Sequence, residues 1–587
     1  MRAIVSTIPE TASALLFSFF AACLLNTAFV QSAYSQEVSP PIVGNDPEEA
    51  LLSSEEIESL IVQLGDKEYA VRESAQAQLE ELGLQAFRQL TNAKNNADLE
   101  IATRASILLH SMNFQWSVSS DSAVVKRYLA NYLSRSVSDR LGIVDALRRL
   151  SRGDGAAALC RIVQCENSIT VRRYAAVSLI GLRPVVDPEA CPHWNQEIWS
   201  SRLGTTLDRA VNRETEWVQK YLGVFDGSNS SRATYQASIE TFVQDAAQTV
   251  GPLQTPGGSI IGGGLGDQNA FLGASDPRVI AMLLLYGLAD AEASFGDRIV
   301  AEEYASRASE SLMPDTAEAG ILRLYAAFML QRWGRIDWTL QELRAARKVA
   351  PDFQKIELAD ILALLLHDQL RDAEAADVIE SLIDVDADDL AGGMMTAGSD
   401  GLLGFERKEF RAEIACYRAS DALRRGDAAL HRELIEEALR HNPEILDAVI
   451  ARHQLEGVDD AYREETARMV EELTKEFRAD ALSQLAVHDP DPHNRLAWML
   501  SNTDGDPAQA LISAEKALEL APDSAAVLDT MAHVRFMRGE YAVAVDFQRR
   551  AVGFEPWSLL LRETLERFEA KWQEEGGEPA PPTLGRH

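Results

Sequence analysis

Three stretches of this chain bring together residue types that can do chemistry. Residues 255–267 read TPGGSIIGGGLGD, six glycines in thirteen positions. Glycine turns of this kind cradle phosphate when their backbone N–H groups converge at a helix N-terminus. A P-loop also needs Gly-Lys-Ser/Thr, and no lysine occurs in the segment. A dinucleotide turn counted from Gly262 and Gly264 ends on Asp267 where glycine is required. A nucleophile elbow built on Ser259 ends on Ile261. The run is therefore expected to be a connector. Asp384, Asp386 and Asp388 take the first oxygen positions of a calcium loop, but Asp389 stands where glycine should turn the chain and Met395 where a bidentate Glu closes the site. His488-Asp489-Pro490-Asp491-Pro492-His493 clusters two imidazoles and two carboxylates without the closed geometry of structural zinc. His431 and His441 form no His-Glu-x-x-His. No catalytic group, metal or cofactor is expected.

The chain as a whole has 587 residues, 46% hydrophobic and 25% charged, which suits a folded multi-domain or extended protein. Its net charge of −34 argues against nucleic acid, whose recognition rests on basic surface, and favours a basic partner or a merely soluble surface. Residues 1–35 read as a signal peptide: Arg2, the apolar core ALLFSFFAACLL, then small residues at Ala33 and Ser35 that place cleavage before Gln36. Retention of residues 14–30 as a membrane anchor, or a lipobox ending at Cys23, are the other fates this leader allows. The chain is thus expected to be exported, to periplasm or medium, with membrane contact only through the leader. Cys160, Cys165 and Cys191 do not form a disulfide framework, although a bridge from either of the first two to Cys191 stays open. Oligomeric state is not legible.

Helical periodicity dominates after residue 50, and the elements that carry it repeat. Gly, Ala twelve later and Pro five later recur at Gly334/Ala346/Pro351, Gly426/Ala438/Pro443, Gly505/Ala517/Pro522 and Gly539/Ala551/Pro556. Glycine supplies a left-handed turn after a first helix, alanine lets a second helix approach its neighbours, and proline ends it. AVLDTMAHVRFMRGEYAVAVDFQRRAVGFEP (526–556) resembles a tetratricopeptide repeat (TPR), and the unit before it does so closely. Spacings between 354 and 411 and between 446 and 490 imply degenerate or unrelated helix pairs. Earlier, a β-branched residue, Ala at +4 and Leu at +8 recur from Val71, Ile101 and Val171; Arg72 and Arg172 follow two of them, with Asp66 and Glu166 before. This part resembles HEAT repeats, with at least one eroded unit between the second and third copies.

The resemblances imply an all-α, two-part helical-repeat solenoid, HEAT-like then TPR-like. The expected plan is a signal peptide (1–35), a linker (36–55), HEAT-like repeats (56–187), a helical connector with the glycine loop (188–275), TPR-like repeats (276–570) and a disordered tail (571–587). They also imply a non-catalytic scaffold or adaptor that binds a protein or peptide in the cell envelope. The alternative is an enzyme with its site in 188–275. Carried over from the TPR family, the groove would be lined by Asp529, His533, Phe536 and Met537 in the last copy. Arg495, Met499 and Asn502 would serve in the copy before, and Phe328 and Arg332 near the start.

Overall fold

In a computed structural model of the chain, the described residues are 54–111, 116–118, 120–150, 154–182, 212–248, 275–312, 316–350, 352–383, 399–483, 485–522 and 524–577. Among them there are helices and turns and no strand, as the periodicity predicts. The leader, the glycine run, the acidic stretch 384–389 and Cys191 lie outside the described residues. The described residues up to 312 form one compact unit and those from 316 a second.

The first unit contains α1 (Ser54–Gln63), α2 (Tyr69–Leu82), α3 (Leu84–Ala93), α4 (Leu99–Ser111), α5 (Ala123–Leu129), α6 (Val137–Arg149), α7 (Ala156–Cys165), α8 (Ile169–Ile180), α9 (Arg213–Gly223), α10 (Asn229–Ala247), α11 (Pro277–Phe295) and α12 (Arg298–Leu312). The repeated small and aliphatic positions are interior: Ala75, Leu79, Ala105, Val171, Ala175 and Leu179 are all 0% exposed. Helices α5 and α6 occupy the gap where an eroded unit was required.

Arginine ties successive pairs together in one recurring way. Arg72 Nη1 donates to the Asp66 carbonyl at 2.7 Å while its Nε pairs with Glu100 of α4 at 3.3 Å. Arg172 Nη1 donates to the Glu166 carbonyl at 2.8 Å, and its Nε reaches Glu214 of α9 at 3.2 Å. Arg232 Nη1 donates to the Gly227 carbonyl at 3.0 Å, and its Nε reaches Glu292 of α11 at 3.0 Å. Each time, the acid six residues before the arginine accepts the backbone N–H two residues after itself: Asp66 from Glu68, Glu166 from Ser168, Asp226 from Ser228.

This ladder moves the boundary. The connector expected over 188–275 contains α9 and α10, which carry the third rung, and the pair α11–α12 belongs to the first unit instead of opening the TPR-like array at 276. Helix α11 shows why: every residue from Val279 to Ala291 is buried, and a helix apolar all round must be surrounded.

The second unit contains α13 (Ala317–Arg332), α14 (Ile336–Val349), α15 (Asp352–Asp368), α16 (Asp372–Ile383), α17 (Ser399–Arg424), α18 (Ala428–His441), α19 (Leu446–His453), α20 (Asp460–Ala481), α21 (Asp491–Ser501), α22 (Pro507–Leu520), α23 (Ala525–Met537), α24 (Tyr541–Phe554) and α25 (Leu559–Glu574). Consecutive helices pack as pairs, with α25 following the last. Gly334, Gly426 and Gly539 adopt φ of 71°, 77° and 74° between paired helices. Gly505 instead permits close approach, since a Cβ there would lie 2.7 Å from Leu500 Cα. Ala346, Ala438, Ala517 and Ala551 are 0% exposed at the helix crossings. The pair α15–α16, left as degenerate or unrelated in sequence, makes the same turn with a leucine: Leu370 has φ 58°. Its N–H bonds the His367 carbonyl and the Arg371 N–H the Leu366 carbonyl, matching Gly334 and Arg335 on Gln331 and Leu330.

Candidate functional site

The residues expected to line a groove do not converge. In the last copy Asp529, His533 and Phe536 do meet, but against α25. His533 lies between Trp498 and Phe568, ring centroids at 4.7 and 5.0 Å. Arg567 donates to its Nε2 at 2.9 Å, so that nitrogen carries no proton and Nδ1–H donates to the Asp529 carbonyl at 3.1 Å. Burial depresses its pKa, consistent with a neutral ring. Phe536 stacks on Phe568 at 4.2 Å and 13°, and the Asp529 carboxylate accepts from Gln548 at 2.7 Å. These three hold the last helix in place. Met499 is 0% exposed and belongs to the core; it and His533 are withdrawn as groove residues. Arg495 covers the Phe477 ring at 4.3 Å, and Asn502 donates to the Trp498 carbonyl at 3.0 Å. Phe328 packs on the core beside Leu324. Met537 and Arg332 are half-buried.

The other chemical candidates that fall among the described residues resolve plainly. Trp217, within the 188–275 stretch of the enzyme alternative, is a core residue beside Phe242 at 4.9 Å. At 488–493, the Asp489 carboxylate accepts the Asp491 N–H at 3.0 Å in the turn that starts α21. Among the described residues, no three His, Cys, Asp or Glu side chains are grouped to hold a metal, and no helix is long and apolar enough to cross a membrane. Cys160 and Cys416 are free thiols, and burial raises Cys160.

What sequence reasoning missed lies on the first helices of the intermediate pairs. On α15, Glu357, Asp360, Leu364, His367 and Asp368 share one face by their three- and four-residue spacing. On α17, Glu413 and Cys416 do the same, and Asp447 begins α19. Burial lifts Glu357 and Glu413 to about 7, and Asp447 and Glu409 add to the latter, against the Tyr417 hydroxyl that donates to Glu413 at 3.2 Å. Asp360 is raised well above the usual carboxylate range by burial and then by Glu413 and Glu357. Asp447 is exposed to water yet raised by burial, which fits a side chain at the bottom of a concave surface. The signal was present: Glu357 and Asp360 stand one helical turn apart. It was overlooked because groove positions were carried neither onto the pair of α15, which lacks the repeat spacing, nor onto the Gly426/Ala438/Pro443 copy that contains α17.

The C-terminal end of the array returns to this face. Gln369 donates to the Trp557 carbonyl at 2.9 Å, Ser558 donates to Asp368, and Arg424 reaches Glu563 at 2.9 Å and Asp372 at 2.8 Å. His367 shares Asp372 with Arg424. Burial opposes the His367 charge, but bonding to Asp372 outweighs it and the net shift is upward. Glu555, just before α25, is pushed up to about 8 by burial and by Asp368 and Asp529.

No family model matches this chain, and no curated protein matches it. Among solved structures it is similar to a P58(IPK) TPR domain at 11% identity, over 78% of this chain and all of that one, with a TM-score of 0.18. At that score the fold is carried by the helix pairs themselves.

Proposed function

We propose that this chain is a non-catalytic interaction scaffold whose second unit presents the first helices of its pairs to a protein or peptide. The observation supporting this reading is the row on α15, α17 and α19, where ionisable side chains are lifted by burial and, among the described residues, form no metal-like grouping. Groups whose burial costs stability mark surfaces kept for another use. Placement in the cell envelope, through the leader at 1–35, is part of the same proposal.

A photo-crosslinking amino acid at Leu364 on this face and at Ile512, 68% exposed on a second helix, tests it in the source cell. One discrete adduct from position 364 and none from 512 is expected. Equal labelling from both, or none from 364, overturns the reading. Export is checked by fractionation together with the mature N-terminus, expected at Gln36; full-length chain in the cytosol contradicts it.

A further inference from the structure

We propose that the concave face of α15, α17 and α19 binds a cationic, lysine- or arginine-rich segment of a partner protein. The inference rests on the scaffold reading above and names the chemistry of the partner.

Charge complementarity is the argument. Glu357, Asp360, Glu413 and Asp447 face one another across consecutive first helices, each raising or being raised by another, and Asp368 and Glu555 continue the row toward α25. The nearby cations make no direct pair with Glu357, Asp360, Glu413 or Asp447, whose charge develops as pH climbs through 7 to 8, although His367 acts on Asp447 at a distance. Arg424 and His367 are committed to Asp372, Arg562 donates to the Pro556 carbonyl, and Arg347 donates to Ser381 and acts on Asp360 only at a distance. A second observation is independent of charge counting: Asp360 is 9% exposed, and its Oδ1 is closed off from water without a hydrogen-bond partner. A buried carboxylate oxygen in that state costs stability, and the adjacent acids deepen the cost. An external cation relieves both.

The spacing selects the form of that cation. The carboxylates spread along three helices and do not close on a point, so they suit several charges carried on one extended or helical segment in place of a single ion. Leu364 and Cys416, both half-buried between the acids, leave room for apolar residues interleaved with the basic ones. Guanidinium groups match such a lining because they pair with two carboxylate oxygens at once and are weakly hydrated.

The test is display of a random twelve-residue peptide library on the full chain, with parallel selection on Glu357→Gln/Asp360→Asn/Glu413→Gln and on an outer-surface control, Glu433→Gln/Glu437→Gln. Peptides rich in Lys and Arg are expected on the native chain and on the control. Their affinity should fall at least tenfold on the triple variant and weaken with added salt. Equal binding by all three chains means adventitious attraction to an acidic protein and overturns the inference. Enrichment of neutral or acidic peptides overturns it too, yet leaves the scaffold reading standing. No enrichment at all overturns both. A thermal midpoint for the triple variant at or above that of the native chain shows that lost binding is not lost folding.

Discussion

Both units pair buried acids with arginines, as Arg323 does with Glu342 at 2.8 Å in the second, but only the second also sets a row of acids beside one another. In the first, carboxylates meet arginines: Glu100, Glu166, Glu214 and Glu292 each accept a guanidinium that also binds a loop carbonyl or stands on the neighbouring helix. In the second, burial raises Glu357, Asp360, Glu413 and Asp447, and Asp360 is raised further by Glu413 and Glu357, and Glu413 by Asp447. A net charge of −34 therefore says little until its acids are sorted into those that stitch helices and those that wait for a partner. An acid paired inside the fold is architecture. An acid left beside other acids lowers stability, and its retention calls for an external reason.

The comparison breaks most visibly at a rung of the ladder. Arg172→Ala leaves Glu214, 3% exposed at its side chain, with only Arg173 at 3.4 Å. The loss should be roughly 3 kcal/mol, read as faster hydrogen exchange across α8 and α9. Arg463→Ala, at an exposed pair, should stay within about 0.5 kcal/mol. Equal effects would mean that the ladder is decoration.

The units should also respond oppositely to pH. Glu357 and Glu413, raised to about 7, and Glu555, raised to about 8, hold protons in the folded state that the unfolded chain has already released. Their favourable contribution is complete below the unfolded value near 4.5 and is lost as pH climbs through 7 to 8. His367, also raised, acts in the same direction: its contribution is present below about 6.5 and lost as pH rises through its folded value. Asp372, depressed in spite of burial by His367 and Arg424, acts oppositely and loses its contribution as pH falls through its folded value. In the first unit Glu240, depressed by its bonds to Arg307, also loses its contribution on the acid side. Urea melts at pH 5 and pH 8, with proteolysis reporting each unit, should show the second unit weakening toward pH 8. A second unit more stable at pH 8 would contradict the assignment.

The smallest effect concerns the turn that leucine occupies. Leu370→Gly should stabilise the second unit by up to about 1 kcal/mol, because φ 58° strains a side chain that glycine lacks. No gain in its midpoint would mean that leucine packing offsets the strain.

Much of this was legible beforehand, and the failures have physical causes. The alanines at helix crossings and three of four turn glycines behave as their spacing predicts, because close approach and positive φ tolerate few residue types. The third rung was missed because Ser231 and Tyr235 replace the β-branched and alanine positions, although Asp226 and Arg232 keep the six-residue interval of Asp66 and Arg72. The hydrogen bonds depend on the acid and the arginine, so those outlast the apolar pattern. His533 and Phe536 read as groove residues because nothing in their own repeat covers them; α25 does, and its Phe568 arrives from outside the repeat pattern. The acidic face escaped notice because α15 and α19 sit on pairs without the Gly–Ala–Pro spacing, and the groove positions were not carried onto the Gly426/Ala438/Pro443 copy that contains α17.

The most direct test of the central claim is the thermal midpoint of the full chain carrying Glu357→Gln, Asp360→Asn and Glu413→Gln, measured against the native chain at pH 8. If these acids are uncompensated, the variant melts higher, by several degrees, and the gap narrows toward pH 5 as the native carboxyls take up protons. A variant that melts lower at pH 8 would show that the three acids hold the fold together, and the concave face would lose its claim to be a surface waiting for a cationic partner.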